Sequence, residues 1–261
     1  MHGRPHGLVL PPARRRAAAA VACLVLALLS WPAQDPPAAS RPEAGRYGVA
    51  LPGGASARPA AGSGSWAFLH HQDDGVTPVA YDPCRAVHYV LRADDAPPGA
   101  EDLLAGAVGE IAAATGLRFA YDGRTDERVT RDRRAHQPAR YGDGWAPVLV
   151  SFESPVDNPD VGRGIAARGG SDVASAGGPA VYVTGTVLVD ADWAAAAVTS
   201  APGRAALRAV LVHELGHVVG LAHVDDAGEL MHSVNDGQLD LGPGDLAGLA
   251  RLGRGPCEPR L

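Results

Sequence analysis

The residues best able to do chemistry lie close together in the string H-E-L-G-H at residues 213–217. Helical positions four apart are separated by about 40° around the axis and about 6 Å along it, so His213 and His217 share one face. Two imidazoles arranged in this way can bind one zinc ion. Glu214 lies one step round the helix, which suits a general base that acts on metal-activated water.

A third histidine, His223, follows His217 by six residues. A continued helix would carry it about 240° round the axis, away from the other two histidines. His223 can therefore join the ion only if the helix ends first, and Gly220 permits that end because glycine adopts positive φ freely. Three histidines leave one zinc position open, which is typical of a catalytic site. We predict one catalytic Zn²⁺ bound by His213, His217 and His223.

Residues 213–223 resemble the metzincin pattern H-E-x-x-H-x-x-G-x-x-H. Met231 stands eight residues after His223, where the clan has its methionine. Within the clan, this string and the helix from Gly242 onward are most similar to the matrixins, and the chain looks most like a bacterial matrixin-type peptidase. The resemblance extends over about residues 87–253 and is strongest over residues 210–231.

The resemblance implies an α+β, metzincin-like zincin fold. Its parts are a mixed, mostly five-stranded sheet, an active-site helix, a Met-turn and a C-terminal helix. Met231 would lie beneath the zinc histidines as a hydrophobic floor without binding the ion. An edge strand, expected within residues 180–190, would align a protein or peptide substrate in extended form by strand addition. Asp190 and Asp192 lie near positions where the family can hold structural Ca²⁺, but nothing else in the sequence supports calcium.

Residue periodicity predicts the elements that position these side chains. Apolar runs predict strands over residues 87–92, 117–121, 147–153 and 180–190, with a short strand near Ile165. Helical spacing of apolar residues predicts helices over residues 101–115, 204–221 and 242–252. Segment 122–144 holds six arginines, five acidic residues and no aliphatic run, which predicts a solvated loop. Strands first and helices last favour a mixed sheet with helices packed on it.

The first 33 residues have the layout of an export signal. A basic, acid-free stretch precedes the uncharged residues 17–31. Fifteen helical residues span about 22 Å, less than the ~30 Å hydrocarbon core of a membrane, so we expect cleavage and secretion. The alternative is an uncleaved 17–31 segment that tethers the protein to the membrane. Residues 34–65 are rich in Pro, Ala and Gly and predict a flexible linker before a zinc peptidase domain at residues 66–261.

Two cysteines, Cys84 and Cys257, lie outside the predicted signal. In the oxidising compartment that export implies, they most simply form one disulfide. Two free buried thiols are the alternative.

Charge argues against a nucleic-acid partner. Removing residues 1–33 removes four arginines and no acidic residue, which takes the net charge from −6 to −10. A surface this acidic is not attracted to phosphate backbones.

Taken together, these features predict a monomeric, exported, zinc-dependent endopeptidase that hydrolyses peptide bonds with metal-activated water and Glu214 as general base. The alternative is a secreted zinc-binding interaction module without proteolytic activity, against which the retained Glu214 argues.

Overall fold

The computed structural model describes residues 64–234 and 237–261. The predicted export signal at residues 1–33, with its 17–31 segment, and residues 34–63 of the predicted linker lie outside the described residues. In these two described stretches, none of the helices has both the length and the apolar character needed to span a bilayer.

Within residues 64–234 and 237–261, six strands form one mixed sheet. They are β1 (Ala80–Tyr81), β2 (Val87–Arg92), β3 (Phe119–Arg124), β4 (Val148–Glu153), β5 (Ala167–Ala174) and β6 (Val181–Asp190). The spatial order is β1-β6-β4-β2-β3, with β5 paired to β6. β5 is antiparallel to β6, and the other neighbouring pairs are parallel. Four predicted strands are present as β2, β3, β4 and β6, whereas the short strand predicted near Ile165 is replaced by β5, which begins at Ala167, and the two-residue β1 was not predicted.

Five helices accompany the sheet in the described part of the chain. They are α1 (Ala100–Thr115), α2 (Pro138–Tyr141), α3 (Ala191–Ala197), α4 (Ala201–Val219) and α5 (Pro243–Leu252). α4 lies against α1 and β5. Every residue of α4 from Leu211 to Val219 is buried, so its polar side chains are held in a dry interior where their partners are fixed.

The ends of α4 follow from its flanking residues. The Ser200 side chain accepts the N–H of Gly203, and Pro202 lies in the first turn, where a missing N–H removes no helical bond. The helix therefore begins at Ala201, three residues before the predicted start. At the other end the N–H of Gly220 contacts the carbonyl of His217 at 3.1 Å, and the N–H of Leu221 donates to the carbonyl of Gly216 at 2.9 Å. This pattern is a Schellman motif, which ends a helix with glycine at positive φ.

The expectation that the edge strand lies within residues 180–190 is wrong. Those residues form β6, which pairs with β4 on one side and with β5 on the other. The edge strand is β5, which among the described residues pairs only with β6. Its sequence A-R-G-G-S-D-V-A has little β-propensity. Backbone pairing along β6 therefore determines this strand, and side-chain periodicity does not reveal it.

Segment 122–144 also differs from the predicted solvated loop. It contains α2 and the end of β3. Arg133 lies 3.0 Å from Glu127 with both side chains over nine-tenths buried. Arg133 also donates to the carbonyl of Pro147 at 2.8 Å and to the Thr184 hydroxyl at 3.0 Å. Arg133 and Glu127 can be buried because each satisfies hydrogen bonds of the other. Charge composition alone does not reveal such a pair.

The predicted disulfide is present between Cys84 and Cys257. Their Cα atoms are 5.6 Å apart, within the usual range for a disulfide. The bond links the turn before β2 to the segment after α5 across a sequence separation of 173 residues. Arg85 reinforces this link by donating to the carbonyl of Glu258 at 2.8 Å.

Candidate metal centre and active site

The structure brings His213, His217 and His223 together. α4 presents His213 and His217, and the turn after Gly220 returns the chain so that His223 faces them. The Nε2 atom of His223 lies 3.1 Å from that of His213 and 3.0 Å from that of His217.

Hydrogen bonds at the far side of two rings determine their tautomers. Nδ1 of His213 lies 2.8 Å from the carbonyl oxygen of Leu230, and Nδ1 of His217 lies 2.8 Å from that of Leu221. A carbonyl oxygen can only accept, so each Nδ1 carries the proton and donates it. Each Nε2 then presents a lone pair to the point that the three rings share. Backbone carbonyls that orient ligand histidines in this way are common at metal sites.

The donor set fits zinc. A tetrahedral zinc with Zn–N distances of ~2.0–2.1 Å places its nitrogen ligands about 3.3 Å apart, close to the 3.0 and 3.1 Å between the Nε2 atoms. Lone pairs held this close repel one another unless a cation lies between them. Among the described residues, one other cluster has three potential ligands, Asp82 with Cys84 and Cys257, and its two sulfurs are joined in the disulfide.

Burial keeps the three imidazoles neutral. Burial, together with the neighbouring His223, lowers the pKa of His213 to about 4. Burial also holds the pKa of His217 well below its ordinary value and lowers the pKa of His223. A histidine must be neutral to bind a metal, so the protein environment favours the ligand form.

Glu214, which follows His213 in α4, is buried. Burial raises the pKa of its carboxyl to about 8, against the positive charge of Arg168 and a hydrogen bond donated by the backbone N–H of Gly169. A divalent cation bound by the histidines would lower this pKa, because an opposite charge stabilises the carboxylate. Neither Arg168 nor Gly169 was indicated by the sequence, because both lie in the strand that periodicity missed.

Met231 is buried, and its sulfur lies against α4 at Gly216, the residue before His217 in the sequence. A Cβ added to Gly216 would be 2.8 Å from the Met231 sulfur, so the methionine occupies the space that this glycine leaves. The preceding residue, Leu230, supplies the carbonyl that orients His213. The turn at Met231 thus contacts both the helix and one of its histidines.

Two acidic side chains that the sequence analysis did not single out hold this turn against α5. Asp245 accepts the backbone N–H groups of Leu230 at 2.6 Å and Met231 at 3.3 Å. Glu229 accepts the N–H groups of Gly244 at 2.9 Å and Asp245 at 2.8 Å. Acidic residues at a helix N-terminus are a known stabilising signal, and Asp245 in the first turn of α5 is the one indication that the sequence offers.

Asp190, one of the two residues considered for calcium, has another role in the structure. The Asp190 side chain accepts the N–H groups of Asp192 at 2.9 Å and Trp193 at 3.1 Å, which caps the N-terminus of α3. In the described part of the chain, neither aspartate belongs to a group of three potential metal ligands.

A cavity of about 970 Å³ opens elsewhere, at the amino ends of β2, β4 and β6. None of the three histidines lines it. The chemistry of the donor atoms, and not the size of a cavity, therefore locates the candidate active site.

A sheet with one antiparallel edge strand, a buried helix carrying H-E-x-x-H, a third histidine beyond a glycine turn and a methionine turn define the metzincin class of zincin folds. Residues 142–252 match the family model described as matrixin. This stretch includes Glu214, the three histidines and Met231, so the predicted resemblance to the matrixin-type metallopeptidases is confirmed. No curated protein matches the chain.

Proposed function

We propose that the protein is an exported zinc-dependent endopeptidase. The observation that carries this proposal is that Nε2 of His223 lies 3.0–3.1 Å from the Nε2 atoms of His213 and His217, with Glu214 buried next to His213 in α4. A structural zinc site closes all four ligand positions, whereas three histidines leave one open. The matrixin match supports a metallopeptidase and favours this function over that of a binding module.

Glu214 and the histidines have different roles in the proposed hydrolysis of a peptide bond. When bound, zinc supplies a Lewis acid that polarises the scissile carbonyl and lowers the pKa of water. Glu214 accepts a proton from the attacking water and passes it to the nitrogen of the leaving amine. The Nδ1–H bonds of His213 and His217 to backbone carbonyls keep their Nε2 atoms aimed at one point.

The free edge of β5 is the proposed binding place for substrate. Its antiparallel partner β6 occupies one side, and α4 with Glu214 packs beside it. An extended peptide that adds to this edge gains main-chain hydrogen bonds and passes close to the histidines. This proposal replaces residues 180–190 with Ala167–Ala174 as the strand that aligns substrate.

Export stays a proposal that rests on residues 1–33. The disulfide between Cys84 and Cys257 supports it, because disulfides persist in oxidising compartments. The N-terminal sequence of the natural product tests it. A mature protein that begins after about residue 33 supports secretion, and a chain that retains residues 17–31 supports a membrane tether.

The experiment that tests the enzymatic function compares the wild type with Glu214→Ala on an unstructured protein at equal zinc occupancy. We expect the variant to keep its zinc and to lose roughly 10²–10⁴-fold in turnover, as is typical when a general acid–base group is removed. Glu101→Ala is the matched control, because Glu101 is a carboxylate on the exposed side of α1 that bonds Tyr121 and Arg124.

Two outcomes contradict the proposal. Equal turnover by wild type and Glu214→Ala places the base elsewhere. No turnover by either protein, with zinc bound, favours the interaction module. His223→Ala gives a separate test of the metal centre, because zinc content measured by mass spectrometry should fall even though this residue lies outside H-E-x-x-H.

A further inference from the structure

Gly169 lies in the middle of the edge strand, opposite Val187 of β6. The carbonyl of Ala166 accepts the N–H of Asp190 at 2.8 Å, which makes these two residues a hydrogen-bonded pair. Hydrogen-bonded and non-hydrogen-bonded pairs alternate along an antiparallel ladder. The N–H of Gly169 therefore points away from β6, toward the free edge, while the backbone groups of Gly170 point toward β6.

A backbone N–H on the free edge of a sheet has no neighbouring strand to bond, but the N–H of Gly169 has a side-chain acceptor. It donates a hydrogen bond to the carboxyl of Glu214. A carboxylate has about four lone-pair sites, so this bond fixes the group and leaves acceptor sites free.

The absence of a side chain at residue 169 allows this contact. A Cβ placed there would lie 2.4 Å from the backbone oxygen of Glu214 and 3.0 Å from its Cβ. A contact under 3.0 Å with backbone cannot be relieved by a rotamer change, so any larger residue displaces α4 from β5. A Cβ at Gly170 meets nothing within 4 Å.

We propose that Gly169 is a positioning residue for Glu214, which it orients by its backbone N–H and by the close approach of α4 that it permits. The inference rests on the proposed function, in which Glu214 is the general base. It has a consequence for substrate: a peptide strand that pairs with β5 meets the N–H groups of Ala167 and Ser171 but finds that of Gly169 already engaged. The substrate ladder then lacks one bond at the point nearest the base.

Amide hydrogen exchange tests the contact without any need for turnover. In the zinc-loaded protein, the Gly169 amide should exchange slowly although it lies on an edge, and Glu214→Ala should speed its exchange at least tenfold. The Gly170 amide, bonded within the ladder, is the internal control and should not change. Equal exchange of the Gly169 amide in wild type and Glu214→Ala overturns the proposal, whether or not the protein cleaves peptides.

Kinetic measurements then test whether Gly169 affects turnover through Glu214. Gly169→Ala should lower kcat by roughly 10²-fold with little change in KM, because a displacement of about 1 Å of a reacting group has an effect of this size. Gly109→Ala, on the exposed side of α1 where an added Cβ meets nothing within 4 Å, is the control and should stay within about twofold of wild type. In the Glu214→Ala background, Gly169→Ala should have no further effect on the residual rate. An equal loss in both backgrounds means that residue 169 affects packing alone and contradicts the positioning role.

Discussion

Gly220 offers a sharp test of how the fold delivers the third histidine. It ends α4 with φ at 122°, a backbone conformation that costs a residue with a side chain about 1–3 kcal/mol. A Cβ there would also lie 2.9 Å from Cε2 of Tyr182 and 3.0 Å from Cδ2 of Leu252. Both neighbours are buried, so overpacking adds about 1–3 kcal/mol. We expect Gly220→Ala to lower the free energy of unfolding by about 2–6 kcal/mol.

Gly116→Ala separates the two contributions. Gly116 also ends a helix, α1, with φ at 77°, but a Cβ there meets nothing within 4 Å. Gly116→Ala should therefore lower the free energy of unfolding only by the backbone strain, about 1–2 kcal/mol. Denaturant unfolding of both variants, with and without zinc, measures the difference.

Zinc affinity provides the second readout, because the turn at Gly220 delivers His223 to the other two histidines. A competition titration against a chelator should show weaker binding by Gly220→Ala and unchanged binding by Gly116→Ala. If the two variants lose equal stability and bind zinc equally, the turn at Gly220 neither packs nor positions His223 as argued.

Three further predictions concern stability. Cys84→Ser with Cys257→Ser should lower the free energy of unfolding by up to about 5 kcal/mol, since a separation of 173 residues closes a long loop; a loss under about 1 kcal/mol in thermal melts contradicts this. Glu127→Ala leaves Arg133 buried without its charge partner and should cost about 3–5 kcal/mol by denaturant unfolding, whereas a surface-sized effect refutes the buried pair. Burial raises the pKa of Asp245 from 3.8 to about 6, so the stability that its proton contributes is present below about pH 4 and is lost as pH rises through 6; Asp245→Asn should flatten this part of the stability profile, and an unchanged profile contradicts it.

The metal ligands could be predicted because their relation is local. His213 and His217 are fixed by the geometry of one helix, and spacing alone places them on one face. His223 required one more step, a helix end at Gly220, and glycine is the residue that marks such an end. The structure then brings together the atoms that this reasoning paired. A site encoded within 11 consecutive residues needs no knowledge of the rest of the fold.

Elements that depend on distant partners could not be predicted in this way. β5 was expected only as a short strand near Ile165, yet it runs for eight residues along β6. Its two glycines disfavour a strand, and its stability comes from ladder bonds that no side-chain pattern encodes. Arg133 likewise looked like a solvated charge because its partner and its burial depend on tertiary packing.

The same strand supplies the hydrogen bond from the Gly169 N–H to Glu214, which comes from outside the helix that carries Glu214. A valine or isoleucine at residue 169 would favour the strand, but its Cβ would meet the Glu214 backbone at 2.4 Å. Glycine there weakens the strand by about 0.5–1 kcal/mol and lets α4 approach closely. The low β-propensity of glycine at residue 169 is therefore accepted because only glycine lets α4 pack this closely on β5. A strand with weak local propensity, packed beside the helix that carries H-E-x-x-H, thus supplies the backbone group that orients the base.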